Sequence, residues 1–196
     1  MEKKEQEVIR KLKKANKKKE KSNYVWVVKI TLIALFISFF FSLGSETILP
    51  NVGMFISIIL VIVFIAIGII FDMIGVSVTA ANEKPFHSMS AQKVKGSKVA
   101  IKFIHNANKV SSFCNDVIGD ICGIISGSAG VIVANNIVET CHTDPLFTTL
   151  VITAVIAALT IGGKALGKSF AINQSNMILY EFAKVISYVY KPKKVK

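Results

Sequence analysis

Two carboxylates four residues apart, Asp116 and Asp120, stand at the head of an apolar run from Val117 to Val138. On an α-helix that spacing projects both from one face. Asn115 precedes them, and Ser126, Ser128, Asn135 and Asn136 follow, so oxygen donors recur along the run without a His/Cys cluster. Hard oxygen ligands of this kind suit Mg²⁺ or a similar divalent cation better than zinc or copper. A central Asp in hydrocarbon costs at least about 2.5 kcal/mol on insertion scales, so the pair is expected to face protein. Gly123 and Gly127 continue its stripe, and Gly119, Gly123 and Gly127 form a GxxxG-type ladder that lets another backbone approach. A blander account of each feature exists. Asp116 can be a head-group residue favoured by the helix dipole, and the ladder can be plain packing. Asp120, one turn deeper, is the residue expected to act.

Other chemistries find no support in the residues. Cys114, Cys122 and Cys141 are odd in number and lack zinc-like spacing. His87, His105 and His142 lie on three different segments and read as surface residues. No nucleophile with its base, no phosphate loop and no glycosidase-type carboxylate pair is recognisable, so the protein is not expected to be an enzyme.

The elements that must position these residues are membrane spans. The 196 residues are 52% apolar and 18% charged, with a mean hydropathy of +0.55 despite 24 Lys and Arg. Charge and apolar residues therefore occupy separate stretches, which excludes a soluble globule and a disordered tail. A hydrocarbon core of about 30 Å needs about 20 apolar residues as a helix. Segments 24–43, 54–71, 117–138 and 146–163 qualify, with Lys29 near enough to one end of the first to snorkel. The first run is too long for a signal-peptide h-region and no small-residue cleavage site follows, so it reads as a retained span. An all-α, four-span fold in a lipid bilayer is the expectation.

Orientation follows from the basic residues. Segments 1–23, 72–112 and 164–196 carry ten, six and seven Lys/Arg, whereas loops 44–52 and 137–146 carry none. That alternation predicts a cell-membrane protein with both termini in the cytoplasm. It also accounts for the net charge of +12 without nucleic acid. Residues 1–23 read as a solvated basic arm and 24–167 as the four-span domain, with a juxtamembrane segment at 84–110. Residues 168–196 read as a cytoplasmic amphipathic helix with a basic tail. Within Ser97–Val110, Val99, Ala100, Phe103, Ile104 and Ala107 share one helical face opposite Lys98, Lys102 and Lys109. This is the pattern of a helix lying in the membrane interface. In Ser169–Tyr190, Ile178, Phe182, Val185 and Val189 repeat the pattern, for a surface-lying helix or a contact between subunits.

From Phe71 to Gly130 the sequence resembles the transmembrane domain of the cyclin M / CorB–CorC family of magnesium transport proteins. Phe71–Val78 (FDMIGVSV) stands at a span end where that family has a Ser/Glu motif, and Ala91–Ala100 (AQKVKGSKVA) resembles its juxtamembrane helical segment. Val117–Asp120 (VIGD) resembles its Gly-Asn motif, with Asp120 in the Asn position. The Ser/Glu pair is not reproduced, and an extra span, 24–43, precedes the three of the family pattern. The resemblance implies a homodimer whose spans enclose a cation site open to the cytoplasm, with Asp72 and Ser77 supplying replacement oxygens. The paired CBS domains common in the family are not expected in a 196-residue chain. Regulation would then fall to a separate cytoplasmic partner.

The expected function is binding, and transport, of Mg²⁺ or a similar divalent cation. Asp120 is the first ligand, helped by Asp116, Asn115, Asp72 and Ser77, with Ser126 further along the span. Two alternatives stay open. One is a non-transporting scaffold or regulatory subunit, and the other is a Na⁺- or H⁺-coupled carrier, which also uses intramembrane Asp.

Overall fold

Long uncharged runs leave a backbone in hydrocarbon no partner but itself, and the chain answers with helices throughout. The structure, a computed structural model, describes residues 2–48 and 52–189, with side chains for 24–47 and 52–188. All regular elements among the described residues are helical. The chain divides into two compact units, Met1–Phe40 and Phe41–Lys196.

The first unit is one continuous stretch of α1 (Glu2–Ile48). The basic arm is thus helical in its backbone, while its side chains lie outside the described residues. The apolar segment, Tyr24–Thr47, is long enough to cross a bilayer, and its best window has no buried residue. Thr31 Oγ1 donates to Val27 O at 2.9 Å, so a hydroxyl in this span is satisfied by its own helix.

In the second unit, α2 (Met54–Ala80), α6 (Asp120–Cys141) and α7 (Pro145–Asn173) pack on one another as a three-helix bundle. Asp144 caps α7, its side chain accepting from Phe147 N at 2.9 Å with Pro145 in the first turn. Val61, Ile65, Ala129, Val133 and Ile156 fill the bundle core. Both α2 and α7 run past the ends expected from their apolar stretches, Phe71 and Gly163. At 1.5 Å per residue, their 27 and 29 residues span about 40 and 43 Å. Asp72, Lys164 and Lys168 therefore sit inside packed helices and not in loops.

Around the far end of α2 are α3 (Glu83–Ala91), α4 (Ser97–His105), α5 (Ala107–Ser112) and α8 (Ser175–Val189). This is the basic end of the bundle. Ser97–Val110 is not one interfacial helix: it breaks at Asn106, and the apolar face of α4 packs into protein instead of lipid. Val99 and Ala100 are buried with Phe86, Leu179 and Ala183, and Phe103 and Phe182 stack with centroids 5.6 Å apart. The C-terminal amphipathic helix is likewise committed within the chain, through Leu179, Ala183 and Phe182, while Val185 remains outside. The reason is the same for both. Two amphipathic stripes of matching length bury each other more completely than either could at a lipid surface. The basic tail, 190–196, falls outside the described residues.

The α3–α4 contact is tied at the surface by Glu83, whose Oε1 accepts from His87 Nε2 at 2.8 Å and His105 Nε2 at 2.6 Å. Those two hydrogen bonds, His87 first, hold the Glu83 carboxyl below its ordinary value of 4.5. A carboxyl depressed by folding stabilises above its unfolded pKa and ceases to do so as pH falls through the folded one. Amide protection at the α3–α4 junction, measured against the intrinsic exchange rate at each pH, is therefore expected to fall as pH drops below 4.5. In Glu83→Gln that acid step should be missing; an identical step in the variant would remove Glu83 as its origin.

Candidate functional site

On α2, Gly68, Asp72 and Gly75 recur at i, i+4 and i+7 and so share one face. Both glycines lie against the start of the third span. A Cβ on Gly68 would stand 3.2 Å from Cys122 Cβ and 3.4 Å from Gly119 O, and one on Gly75 would run into the carboxamide of Asn115. Asp72 stands between these two contacts, only 3% exposed. The facing backbone, Phe113–Gly119, is a π-helix between α5 and α6. Its wider turn carries Asn115 onto Gly75, and such π-segments concentrate at functional sites.

The polar atoms on this seam are incompletely satisfied. Asp72 Oδ2 and Asn115 Oδ1 are both buried without a hydrogen-bond donor. Lys168 Nζ of α7 lies 3.4 Å from Asp72 Oδ2, within ion-pair range but not in hydrogen-bond geometry. Asn115 Nδ2 donates to Ser111 Oγ at 3.4 Å. Ser77 is fully buried well round α2 from this face, about 140° from Asp72 at 3.6 residues per turn, where its hydroxyl donates to Met73 O at 2.8 Å and reaches Ala171 O at 3.4 Å. It stitches α2 to α7 and keeps its lone pairs available. Buried acceptors without donors are rare enough in native folds to need a cause.

The other expected ligands lie elsewhere. Asp120 is not the buried acid that its depth in the span predicts: its side chain is 62% exposed and paired with Lys164 Nζ at 3.2 Å. Asp116 is exposed as well. Ser126 is fully buried but spends its hydroxyl on Gly123 O at 2.9 Å. It lies three turns along from Asn115, about 16 Å away at 1.5 Å per residue. Of the glycine ladder only Gly119 packs within the chain, since Gly123 and Gly127 have nothing within 4 Å of a built Cβ. The residues that sequence reading passed over are Gly68, Gly75, Lys164 and Lys168. The i, i+4 spacing of the two lysines just beyond an apolar run was the available signal.

Among the described residues no three His, Cys, Asp or Glu side chains cluster as metal ligands. The seam instead offers the Asp72 carboxylate with the Asn115 amide oxygen, hard donors that fit a cation keeping most of its water shell. Together, the apolar helices and the fold define a multi-pass helical membrane protein. Comparison with protein-family models, curated proteins and solved structures finds no match to this chain.

Proposed function

We propose that the protein sits in the cell membrane with both termini cytoplasmic, and binds and transports Mg²⁺ or a similar divalent cation at the seam of α2, the π-helix and α7. The observation that carries this reading is the pair of buried, donor-less oxygens, Asp72 Oδ2 and Asn115 Oδ1, on facing helices at the basic end. Asp72 is the charged ligand and Asn115 the amide ligand, with Lys168 holding the charge balance when no ion is bound, while Ser77, farther round α2, holds α2 to α7. The basic flanks orient this end towards the cytoplasm. Asp120, Ile124, Ser128, Val131 and Asn135 form an exposed stripe along α6 beside Gly123 and Gly127. Such a polar, small-residue face is costly against lipid and suits a second copy of the chain, in a homodimer.

Thermal unfolding of the purified protein with and without millimolar Mg²⁺ tests the site. A ligand at 100 times its Kd stabilises the folded state by about 2.7 kcal/mol. The rise in Tm is expected in the wild type and in Asp120→Asn, and is expected to vanish in Asp72→Asn. No rise in the wild type, or a full rise in Asp72→Asn, would defeat the assignment. The two lysine–carboxylate pairs support a second reading, a scaffold whose intramembrane charges only neutralise each other. That reading predicts no Mg²⁺ effect in any variant.

A further inference from the structure

Away from the seam, the turn before α4 and the last turn of α8 enclose a cleft of about 420 Å³. Lys93, Lys95 and Lys98 line it together with Ser187 and Tyr188, and no Asp or Glu among the described residues does. None of the three lysines has a carboxylate partner among the described residues. The nearby acids are engaged elsewhere, Glu83 by His87 and His105 and Glu181 by Lys184. Lys95 Nζ instead lies 5.8 Å over the ring of Tyr188, which fixes one wall.

The cleft is built and not incidental. Gly96 has φ +88, and a Cβ there would stand 2.9 Å from Lys184 Cα, so only glycine lets the turn close onto α8. Lys93 also holds a left-handed conformation, φ 58. Three cations around one concavity, with no counter-charge among the described residues, repel one another unless an anion sits between them. Gly96 offers α4 no side-chain cap and Ser97 N donates to Val94 O at 3.4 Å, while Lys98 and Val99 of the first turn line the cleft.

The geometry points to a binding site for a phosphate-bearing ligand in this cleft. Lysine ammoniums and the Tyr188 hydroxyl are donors that bind phosphate oxygens, whereas Ser187 gives its proton to Lys184 O at 2.6 Å; three ammoniums with no carboxylate among the described lining residues disfavour a cation. The phosphate can belong to an anionic lipid headgroup or to a soluble nucleotide, which share this chemistry. The site is independent of the cation reading and stands or falls separately.

Thermal unfolding of the full chain in neutral detergent, titrated with dihexanoyl phosphatidic acid in one arm and ADP in the other, tests it. At least one probe is expected to raise Tm in a saturable way. Protection by phosphatidic acid alone assigns a lipid headgroup; by ADP alone, a soluble phosphate ligand; by both, recognition of the phosphate itself. Lys93→Gln/Lys95→Gln/Lys98→Gln is expected to weaken binding by about tenfold or more, while Lys84→Gln/Lys102→Gln/Lys109→Gln, with the same charge loss elsewhere, keeps it. Ser187→Phe fills the cleft with every lysine retained and is expected to lose protection as well, which decides the matter should the triple variant fail to fold. No protection by either probe, equal losses in both triple variants, or full protection in Ser187→Phe would overturn the site.

Discussion

Lys168→Ala is expected to turn a protein that tolerates the absence of divalent cations into one that depends on them. The substitution leaves the Asp72 carboxylate, 5% exposed, without the ammonium 3.4 Å away. Removing one partner of a fully buried pair costs about 3–5 kcal/mol. Lys168 is itself half-exposed, so solvent already screens part of the attraction and a loss of about 2 kcal/mol is expected in metal-free buffer. The diagnostic part is recovery. Without the tethered ammonium, Mg²⁺ meets no competitor at Asp72, so the variant should bind it more tightly than the wild type and regain its lost stability. Thermal unfolding across a Mg²⁺ titration reads both effects at once. A destabilised variant that Mg²⁺ leaves unchanged would make the pair a structural one and favour the scaffold.

Gly75→Val is expected to separate α2 from the π-helix. A Cβ at this position collides with the Asn115 carboxamide, and a branched side chain leaves that amide no space on the seam. Overpacking a tight interface costs about 1–3 kcal/mol, and the upper end is expected because the displaced group is polar and already lacks a donor. Gly162→Ala is the internal comparison. Nothing lies within 4 Å of a Cβ built there, so helix propensity alone should act, favouring alanine by about 0.8–1 kcal/mol. Opposite signs in the two variants, read by unfolding in a single detergent, are the expected outcome. Equal effects would mean that the α2 contact at Gly75 is looser than its geometry.

The two lysines show why the spans were longer than their apolar runs. A run read along one chain ends at the first charge, at Asp72 for the second span and Lys164 for the fourth. In three dimensions Lys168 of α7 meets Asp72 of α2, and Lys164 meets Asp120 of α6. Charges that neutralise each other across helices no longer force either helix to stop. The amphipathic stretch beginning at Ser97 failed as an interfacial helix for a related reason. Its pattern shows that an apolar face must be covered, and the pattern is equally consistent with lipid and with a second amphipathic helix. The chain supplies that helix in α8, about eighty residues later.

Facing direction was the least legible property. Asp120 shares a stripe with Gly123 and Gly127, and glycine stripes commonly mark the side where helices meet. In the structure the packed side of α6 is Ile121, Ile125, Ala129 and Val133 instead, which leaves Asp120 outside. The π-helix at Phe113–Gly119 sits where an ideal period would be extended from Asp116 to Asp120. A wider turn there rotates the rest of the span relative to an unbroken α-helix.

Hydropathy, basic flanks and turn residues are properties of consecutive residues, and they were enough to establish an all-helical chain with four stretches able to cross a bilayer. Which acid is buried, which lysine reaches it and which glycine admits a neighbour depend on how one helix is rotated against another. That rotation is set by contacts between residues far apart in the chain, such as Gly75 with Asn115 and Asp72 with Lys168, and only the packed structure decided it.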